Sequence, residues 1–151
     1  MTGNVRILLI DDDKNIRQTL AIILQEEGYV VDTAENGKEA VEKSFANFYN
    51  LAIVDWRLPD VEGTRLLTQL KETTPKMAKI MLTGYPSMNN AVEAVNRHAD
   101  AFLLKPVDVD ELLKKIRELL IQQKESGAFC EDKMVSFIET RAKQFMQTDI
   151  T

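Results

Sequence analysis

The sequence predicts an α/β domain in which five parallel strands, in the order 2-1-3-4-5, form a doubly wound sheet with helices on both faces. Short apolar runs alternate with longer segments of helical periodicity along most of the 151 residues. This alternation is typical of parallel sheets covered by helices. Because crossovers between parallel strands are right-handed, the chain must reverse its winding to cover both faces. In this order the reversal sets strand 1 beside strand 3.

Five short runs predict the strands, and each is followed by polar or turn-forming residues. The runs are Val5–Ile10, Tyr29–Thr33, Leu51–Val54, Lys79–Leu82 and Ala101–Leu104. The second run alternates apolar and polar residues, which favours an edge strand. The first and third contain continuous apolar stretches, which are expected of strands buried on both faces.

Helices are predicted after the strands because apolar residues recur there three or four positions apart. Gly28 is well placed to end the first helix, and Asn36-Gly37 turns the chain into the second. The expected apolar faces are, in chain order, Ile16, Leu20, Ile23 and Leu24; Ala40, Val41 and Phe45; Leu66, Leu67 and Leu70; Met88, Ala91, Val92 and Val95 in a polar helix over 87–97; and Val109, Leu112, Leu113, Ile116, Leu119 and Leu120.

Composition narrows the function classes. Hydrophobic residues make up 44% of the chain and charged residues 28%, which indicates a soluble globular protein. No apolar run is long enough for a membrane span, and the first residues lack the apolar core of a signal peptide. The single cysteine, Cys130, excludes an internal disulfide and fits the cytoplasm. A net charge of −5 offers no broad basic surface, so direct nucleic-acid binding is not expected.

The residues at the strand exits are the most distinctive of the chain. Asp11 and Asp12 follow strand 1, Asp55 follows strand 3, Thr83 follows strand 4 and Lys105 follows strand 5. Ligands of doubly wound sheets bind beyond the carboxyl ends of the strands, at the reversal point. Converging carboxylates repel one another, so a cation must lie among them. Mg²⁺ (or Mn²⁺) suits, because it prefers oxygen ligands and keeps waters and phosphate in its shell.

This set of side chains can support phosphoryl chemistry. An aspartate carboxylate can attack phosphorus and form an aspartyl phosphate, while a metal ion neutralises charge on the phosphoryl oxygens. Lys105 could hold one of those oxygens, Thr83 offers a hydroxyl group, and Gly84 leaves room for a group to approach. The strand exits therefore predict a phosphoacceptor pocket around Asp55.

Four motifs in this order resemble the receiver domain of two-component response regulators. They are "LLIDDD", "LAIVDWRLPD", "IMLTG" and "AFLLKP". Each motif alone is weak, but four in order at strand ends are highly specific, and the resemblance covers about residues 4–122. It implies a flavodoxin-like fold and a signalling protein rather than an enzyme. The phosphoryl donor would be a sensor histidine kinase or a histidine phosphotransfer protein.

The resemblance also implies a role for each pocket residue. Asp55 matches the phosphoacceptor, Asp12 the direct metal ligand and Asp11 the residue that holds the metal through water. The backbone carbonyl of Arg57 matches the remaining protein ligand. Asp13 is an addition to the motif, and we expect it to cap the first helix.

Three further residues are expected to respond to phosphorylation. Thr83 and Lys105 match the residues that contact the phosphoryl group, and Thr83 with Phe102 matches the switch pair. The Lys105–Pro106 peptide bond is expected to be cis, as the resemblance implies.

Two other function classes fit parts of the pattern. One is a degenerate receiver that serves as a binding module without phosphorylation, although the full set of pocket residues argues against it. The other is a magnesium-dependent, phosphatase-like enzyme on a similar sheet. Such an enzyme would want a second acid two residues after its nucleophile, where this chain has Arg57. A phosphate-cradling glycine loop is also missing after strand 1.

The predicted organisation is a receiver over 4–123, a linker over 124–130 and an amphipathic helix over 131–147. The apolar stripe of this last helix consists of Met134, Val135, Ile138, Ala142, Phe145 and Met146. A solitary helix of this length is marginal in water, so we expect it to pack on its own receiver, or on another subunit or an output partner. A homodimer held partly by 108–146 is the second case. The tail is too short for an ordinary DNA-binding domain, so a downstream protein or a further output domain is expected to carry the response.

Overall fold

The computed structural model describes residues 5–84 and 99–125 and contains a five-stranded sheet in the order β2-β1-β3-β4-β5. Every neighbouring pair of strands is parallel. The strands are β1 (Arg6–Ile10), β2 (Val30–Ala34), β3 (Leu51–Asp55), β4 (Ala78–Thr83) and β5 (Ala101–Leu104). The predicted fold class and strand order are confirmed, and each predicted strand bound lies within one residue of the observed one.

The helices within the described residues are α1 (Lys14–Glu26), α2 (Gly37–Ala46), α3 (Gly63–Gln69) and a helix over 109–125. Asp13 caps α1 as predicted, because its side chain accepts hydrogen bonds from the backbone N–H groups of Asn15 and Ile16. Gly28 follows the end of α1 with φ of 93°, in the left-handed region that glycine adopts without strain.

Two of the predicted helices, over 87–97 and 131–147, lie outside the residues that the structure describes. The helix over 109–125 takes in residues 124 and 125, the first two positions of the predicted linker. None of the helices within 5–84 and 99–125 combines the length and apolar character that a membrane span requires.

Two apolar layers cover the two faces of the sheet. Alternate residues of β1 point into different layers, so this strand is buried on both faces. The layer beneath α1 and the 109–125 helix includes Ile7, Leu9, Leu24, Ile53, Ile80, Leu112 and Ile116. The layer beneath α2 and α3 includes Leu8, Ile10, Ala40, Val54, Leu66 and Leu67.

The prediction that Phe45 lies on the buried face of α2 is wrong, because its side chain is 60% exposed. The buried face of α2 runs through Gly37, Ala40 and Ser44 instead. Phe45 follows Ser44 by one residue, about 100° around a helix of 3.6 residues per turn. The Ser44 hydroxyl group accepts a hydrogen bond from the N–H of Lys71 just after α3. Small residues on this face let α2 pack closely against its neighbours.

Candidate functional site

The register of the sheet brings the predicted pocket residues to one edge. Ile10 of β1 is paired with Val54 of β3, so the residues that follow them, Asp11 and Asp55, lie side by side. On the other side of β3, the last pair joins Asp55 to Leu82, one residue before Thr83. Each position follows directly from strand pairing in a parallel sheet.

Three carboxylates form the acidic cluster, which consists of Asp11, Asp12 and Asp55. One oxygen atom from each lies within 4.8 Å of the others. Asp11 and Asp55 are buried, with 1% and 6% exposure, whereas Asp12 is exposed at the mouth of the pocket. The cluster therefore opens to solvent on one side and is closed by the sheet on the other.

Backbone and side-chain contacts hold Asp11 in place. Its Oδ1 atom accepts a hydrogen bond of 2.9 Å from the N–H of Asp13. Its own N–H donates to the carbonyl of Ala34 at 3.1 Å, and its carbonyl accepts from the guanidinium group of Arg17 at 2.8 Å. The Arg17 contact was not predicted. Its position one turn into α1 was the available signal, since that turn begins right after the aspartates.

Lys105 supplies the positive charge within the cluster. Its Nζ atom lies 3.0 Å from Oδ1 of Asp55 and 3.2 Å from Oδ2 of Asp11. Lys105 follows β5, whose Leu104 pairs with Thr83 of β4. Two buried carboxylates thus share one ammonium group, which compensates the charge of only one of them.

The incomplete compensation is visible in the acid–base properties of the pocket. Burial raises the pKa of Asp55 to about 6, and the nearby charge of Asp11 acts in the same direction. The hydrogen bond from Lys105 lowers this pKa but does not outweigh them. For Lys105, burial lowers the pKa, but the hydrogen bond with Asp55 and the charge of Asp11 outweigh it, so the net pKa is raised. Near neutral pH the ammonium group is charged and the pocket retains excess negative charge.

The other predicted pocket residues lie around this cluster. The Thr83 side chain is fully buried at the end of β4, and Phe102 is partly buried in β5, the neighbouring strand. Arg57 is exposed just after β3. The Lys105–Pro106 peptide bond is cis.

The donor set suits a hard divalent cation. Carboxylate oxygens are ligands that Mg²⁺ prefers, and the ion usually binds one or two carboxylates while it keeps water and phosphate in its shell. A dication would also supply the positive charge that a single ammonium group does not. The residues present therefore fit a magnesium site at Asp11, Asp12 and Asp55.

Sequence and structure comparisons agree with this geometry. The family model of the response regulator receiver domain matches residues 7–117. Response regulator ArlR of Staphylococcus saprophyticus is 32% identical over 120 residues, which cover 78% of this chain and 53% of that protein. The chain thus spans about half the length of the curated relatives it matches.

Two solved structures have the same fold. A CheY-like response regulator receiver domain protein from Methanospirillum hungatei is 45% identical, with a TM-score of 0.77, over 82% of this chain and 98% of that chain. Response regulator TrrA from Thermotoga maritima, solved in complex with Mg²⁺-BeF, is 38% identical, with a TM-score of 0.68. That match covers 76% of this chain and 98% of TrrA.

Proposed function

Because this chain belongs to the response regulator receiver domain family of two-component systems, we propose that it accepts a phosphoryl group on Asp55. The observation that carries the proposal is the Asp55 carboxylate itself. It is buried at a strand exit, beside two other aspartates and 3.0 Å from the Lys105 ammonium group. Asp55 also shares this ammonium group with a second buried carboxylate, Asp11.

We assign the metal ligands as the sequence suggested. Asp12 and Asp55 would bind Mg²⁺ or Mn²⁺ directly, Asp11 would hold it through water, and the backbone carbonyl of Arg57 would complete the protein ligands. When bound, the ion supplies positive charge that offsets the phosphoryl oxygens. The clustering of the three carboxylates supports this assignment.

The transfer itself makes one bond and breaks another. A carboxylate oxygen of Asp55 bonds to phosphorus as the bond from phosphorus to the donor breaks, and the electron pair of that bond leaves with the donor. The donor is a phosphohistidine of a sensor histidine kinase or a histidine phosphotransfer protein, or a small acyl phosphate. Attack requires the ionised carboxylate. Lys105 is placed to hold an oxygen of the transferred group.

The switch pair is proposed to report the transfer to the surface. A phosphoryl oxygen would draw the Thr83 hydroxyl group inward, and Phe102 would rotate into the vacated space. The buried position of Thr83 and the partial burial of Phe102 on the neighbouring strand support this coupling. Nuclear magnetic resonance spectra with and without a phosphate mimic should differ around both residues. A full spectral change in Thr83→Ala would contradict the role of the threonine.

The donor protein is proposed to dock beside the pocket. An apolar groove of about 330 Å³ lies between α1 and the segment after β5. Ile16, Leu20, Pro106 and Val107 line it together with Lys105 of the phosphoacceptor pocket. An apolar helix face on the donor would fit there while its phosphohistidine reaches Asp55. Ile16→Ser, at a partly exposed residue of the groove, should slow uptake from a protein donor but not from a small acyl phosphate.

Intact-mass measurement tests the central proposal. With a small acyl-phosphate donor and Mg²⁺, the wild-type chain should gain one phosphate, and Asp55→Ala should gain none. Asp32→Ala is the matched control, because Asp32 is a partly buried aspartate of the same sheet outside the pocket. Equal uptake by Asp55→Ala and the wild type would contradict the assignment of Asp55.

The same experiment separates the other two function classes. A phosphorylation-independent binding module would gain no phosphate in any variant. A phosphatase-like enzyme would hydrolyse a small phosphoester over many turnovers. The proposed receiver gains one phosphate per chain and loses it to water from Asp55, without turnover of a small phosphoester.

The response is proposed to pass to a downstream protein or a further output domain, with the chain in the cytoplasm and without direct nucleic-acid contact. The predicted helix over 131–147 is proposed to support a homodimer. Sedimentation of the full chain against a version ending at Gln123 tests this. If both chains sediment as monomers, with and without a phosphate mimic, the proposed homodimer is contradicted.

A further inference from the structure

Asp60 joins two segments that are distant in sequence. It lies in the loop between β3 and α3, five residues after the proposed phosphoacceptor. Its Oδ1 atom accepts a hydrogen bond of 2.8 Å from the N–H of Gly37, and its Oδ2 atom accepts one of 2.9 Å from the N–H of Lys38. These two N–H groups open α2 and have no partner within that helix.

The start of α2 already has a cap of its own. Asn36 occupies the N-cap position, and its side-chain oxygen accepts a hydrogen bond of 2.8 Å from the N–H of Glu39. Asp60 therefore satisfies the two donors that Asn36 does not reach. A carboxylate at this position is also favoured by the helix dipole. The backbone hydrogen bond from Gly37, followed by that from Lys38, lowers the pKa of Asp60, so it is ionised near neutral pH.

The loop also packs tightly against α2 at this point. A Cβ atom on Gly37 would lie 2.3 Å from Cγ1 of Val61 and 3.2 Å from Oδ1 of Asp60. Glycine is therefore the residue that lets the loop approach the helix. The tip of the loop is held from the side by both a charge-assisted contact and a packing contact.

The base of the same loop is attached to the sheet. The N–H of Trp56 donates to the carbonyl of Leu82 at 2.7 Å, and the N–H of Gly63 donates to the carbonyl of Trp56 at 2.7 Å. Arg57 and Glu62 pair across the loop in a short antiparallel bridge. The segment that carries the Arg57 carbonyl is thus fixed at its base by β4 and at its tip by α2.

We infer that Asp60 is a positioning residue for the phosphoacceptor site. By anchoring the loop on α2, it holds the Arg57 backbone carbonyl beside the Asp55 carboxylate, where both would face the metal ion. The inference rests on the proposed function, because it concerns the metal site of that same pocket. Asp60 does not touch the reacting atoms, and its effect passes through the backbone of the loop.

Magnesium titration calorimetry of the full chain, without a phosphoryl donor, tests the inference. Asp60→Ala should lower Mg²⁺ affinity about tenfold, as loss of a supporting residue around a metal site does. Asn36→Ala is the matched control, because it removes a hydrogen bond from the same helix start without touching the loop. It should lower the melting temperature comparably and change Mg²⁺ affinity less than about twofold.

Asp60→Asn provides a second, milder variant. Its amide oxygen can accept one of the two hydrogen bonds, whereas its NH₂ group cannot accept the other. Its Mg²⁺ affinity should lie between those of the wild type and Asp60→Ala. Hydrogen exchange should also show faster exchange of the Gly63 amide in Asp60→Ala than in Asn36→Ala, because only the former releases the loop.

Two results would overturn the inference. One is wild-type Mg²⁺ affinity in both Asp60 variants. The other is an equal loss of affinity in Asp60→Ala and Asn36→Ala, which would place the effect in α2 rather than in the loop. Neither result bears on the proposed function, which fails only when the wild-type chain takes up no phosphoryl group on Asp55.

Discussion

Two groups of charged side chains lie toward opposite ends of the same sheet, and the pKa values of their carboxyl groups are shifted in opposite directions. At the carboxyl end, the pKa of Asp55 is raised to about 6, chiefly by burial. Toward the amino end of the sheet, the pKa of Asp32 is lowered. Burial alone would raise the pKa of both carboxyl groups. Burial prevails at Asp55, whereas at Asp32 the hydrogen bonds and charges of its partners outweigh burial.

Asp32 has a full set of partners. Its Oδ2 atom accepts hydrogen bonds from the Arg6 guanidinium group at 2.8 Å and from the Tyr49 hydroxyl group at 2.6 Å. The guanidinium carbon also lies 5.4 Å from the centre of the Tyr49 ring. These bonds outweigh the cost of partial burial. At the other end, Asp55 shares one ammonium group with Asp11. One end of the sheet is thus built for stability, and the other keeps a charge imbalance that a ligand can relieve.

Replacing the basic side chain at each end of the sheet should have the largest effect on the free energy of unfolding. With a chelator present at pH 8, Lys105→Met should lower the free energy of unfolding by about 3 kcal/mol, because two buried carboxylates lose the ammonium group that contacts both of them. Arg6→Met should cost about 1 kcal/mol, since Asp32 is partly exposed and keeps the Tyr49 hydroxyl group. Urea unfolding measures both. Equal losses, or a Lys105→Met loss that does not shrink at pH 5, would contradict the comparison.

Neutralising one carboxylate at each end should give effects of opposite sign. At pH 8 with a chelator, Asp55→Asn should raise the free energy of unfolding by about 2 kcal/mol. The reason is that the ionised carboxylate is less favourable in the folded state, where its pKa is about 6, than in the unfolded state, where the ordinary value is 3.8. Asp32→Asn should lower it by about 1 kcal/mol through weaker bonds to Arg6 and Tyr49. Thermal and urea unfolding of both variants give the two signs. Stabilisation by both substitutions would mean that the two ends do not differ.

Magnesium should stabilise the protein by binding at the carboxyl end of the sheet only. At a free concentration ten times its Kd, Mg²⁺ should raise the free energy of unfolding by about 1.4 kcal/mol. Asp32→Asn should keep this gain, and Asp12→Ala should lose it, because Asp12 belongs to the acidic cluster. An equal gain in Asp12→Ala would place the ion elsewhere.

The pH dependence of stability should show the smallest effect. The folded pKa of Asp55, about 6, exceeds its ordinary value of 3.8, so the folded state binds more protons between these values. Without metal, the free energy of unfolding should therefore rise by about 1 kcal/mol as pH falls from 7 to 5. The lowered pKa of Asp32 acts in the opposite sense, and its contribution is lost only below pH 3.8.

Asp55→Asn is the control for this pH dependence, because it removes the group that titrates. Its free energy of unfolding should stay nearly constant between pH 5 and 7. The same rise in the variant as in the wild type would assign the effect to other groups.

Much of the candidate site could be predicted from the sequence because it depends on strand exits. The residues at the carboxyl ends of β1 and β3 must be neighbours once the strand order is known, and the register places Asp11 beside Asp55 as expected. Asp13 was predictable as a helix cap, because that contact spans only two or three residues. Such features need only local periodicity and the rule that parallel strands end at one edge.

Other features depend on how helices and loops pack against each other. Phe45 has the right spacing for a buried face, yet close packing of α2 through Ser44 leaves it exposed. Nothing in the spacing of Arg6, Asp32 and Tyr49 indicates that they share hydrogen bonds, since they come from three separate segments. Apolar periodicity records which side of an element is buried but not which neighbour it meets.

The sequence by itself determined the fold class, the strand order and the edge of the sheet where the acidic residues gather. The reason is that the direction and order of parallel strands leave little freedom for the residues at their ends. Only the tertiary structure decided that one ammonium group serves both Asp11 and Asp55, and that Asp60 caps a helix 22 and 23 residues before it. These contacts, 2.8 to 3.2 Å long, join segments that are far apart in the chain, and the packing of the fold brings those segments together.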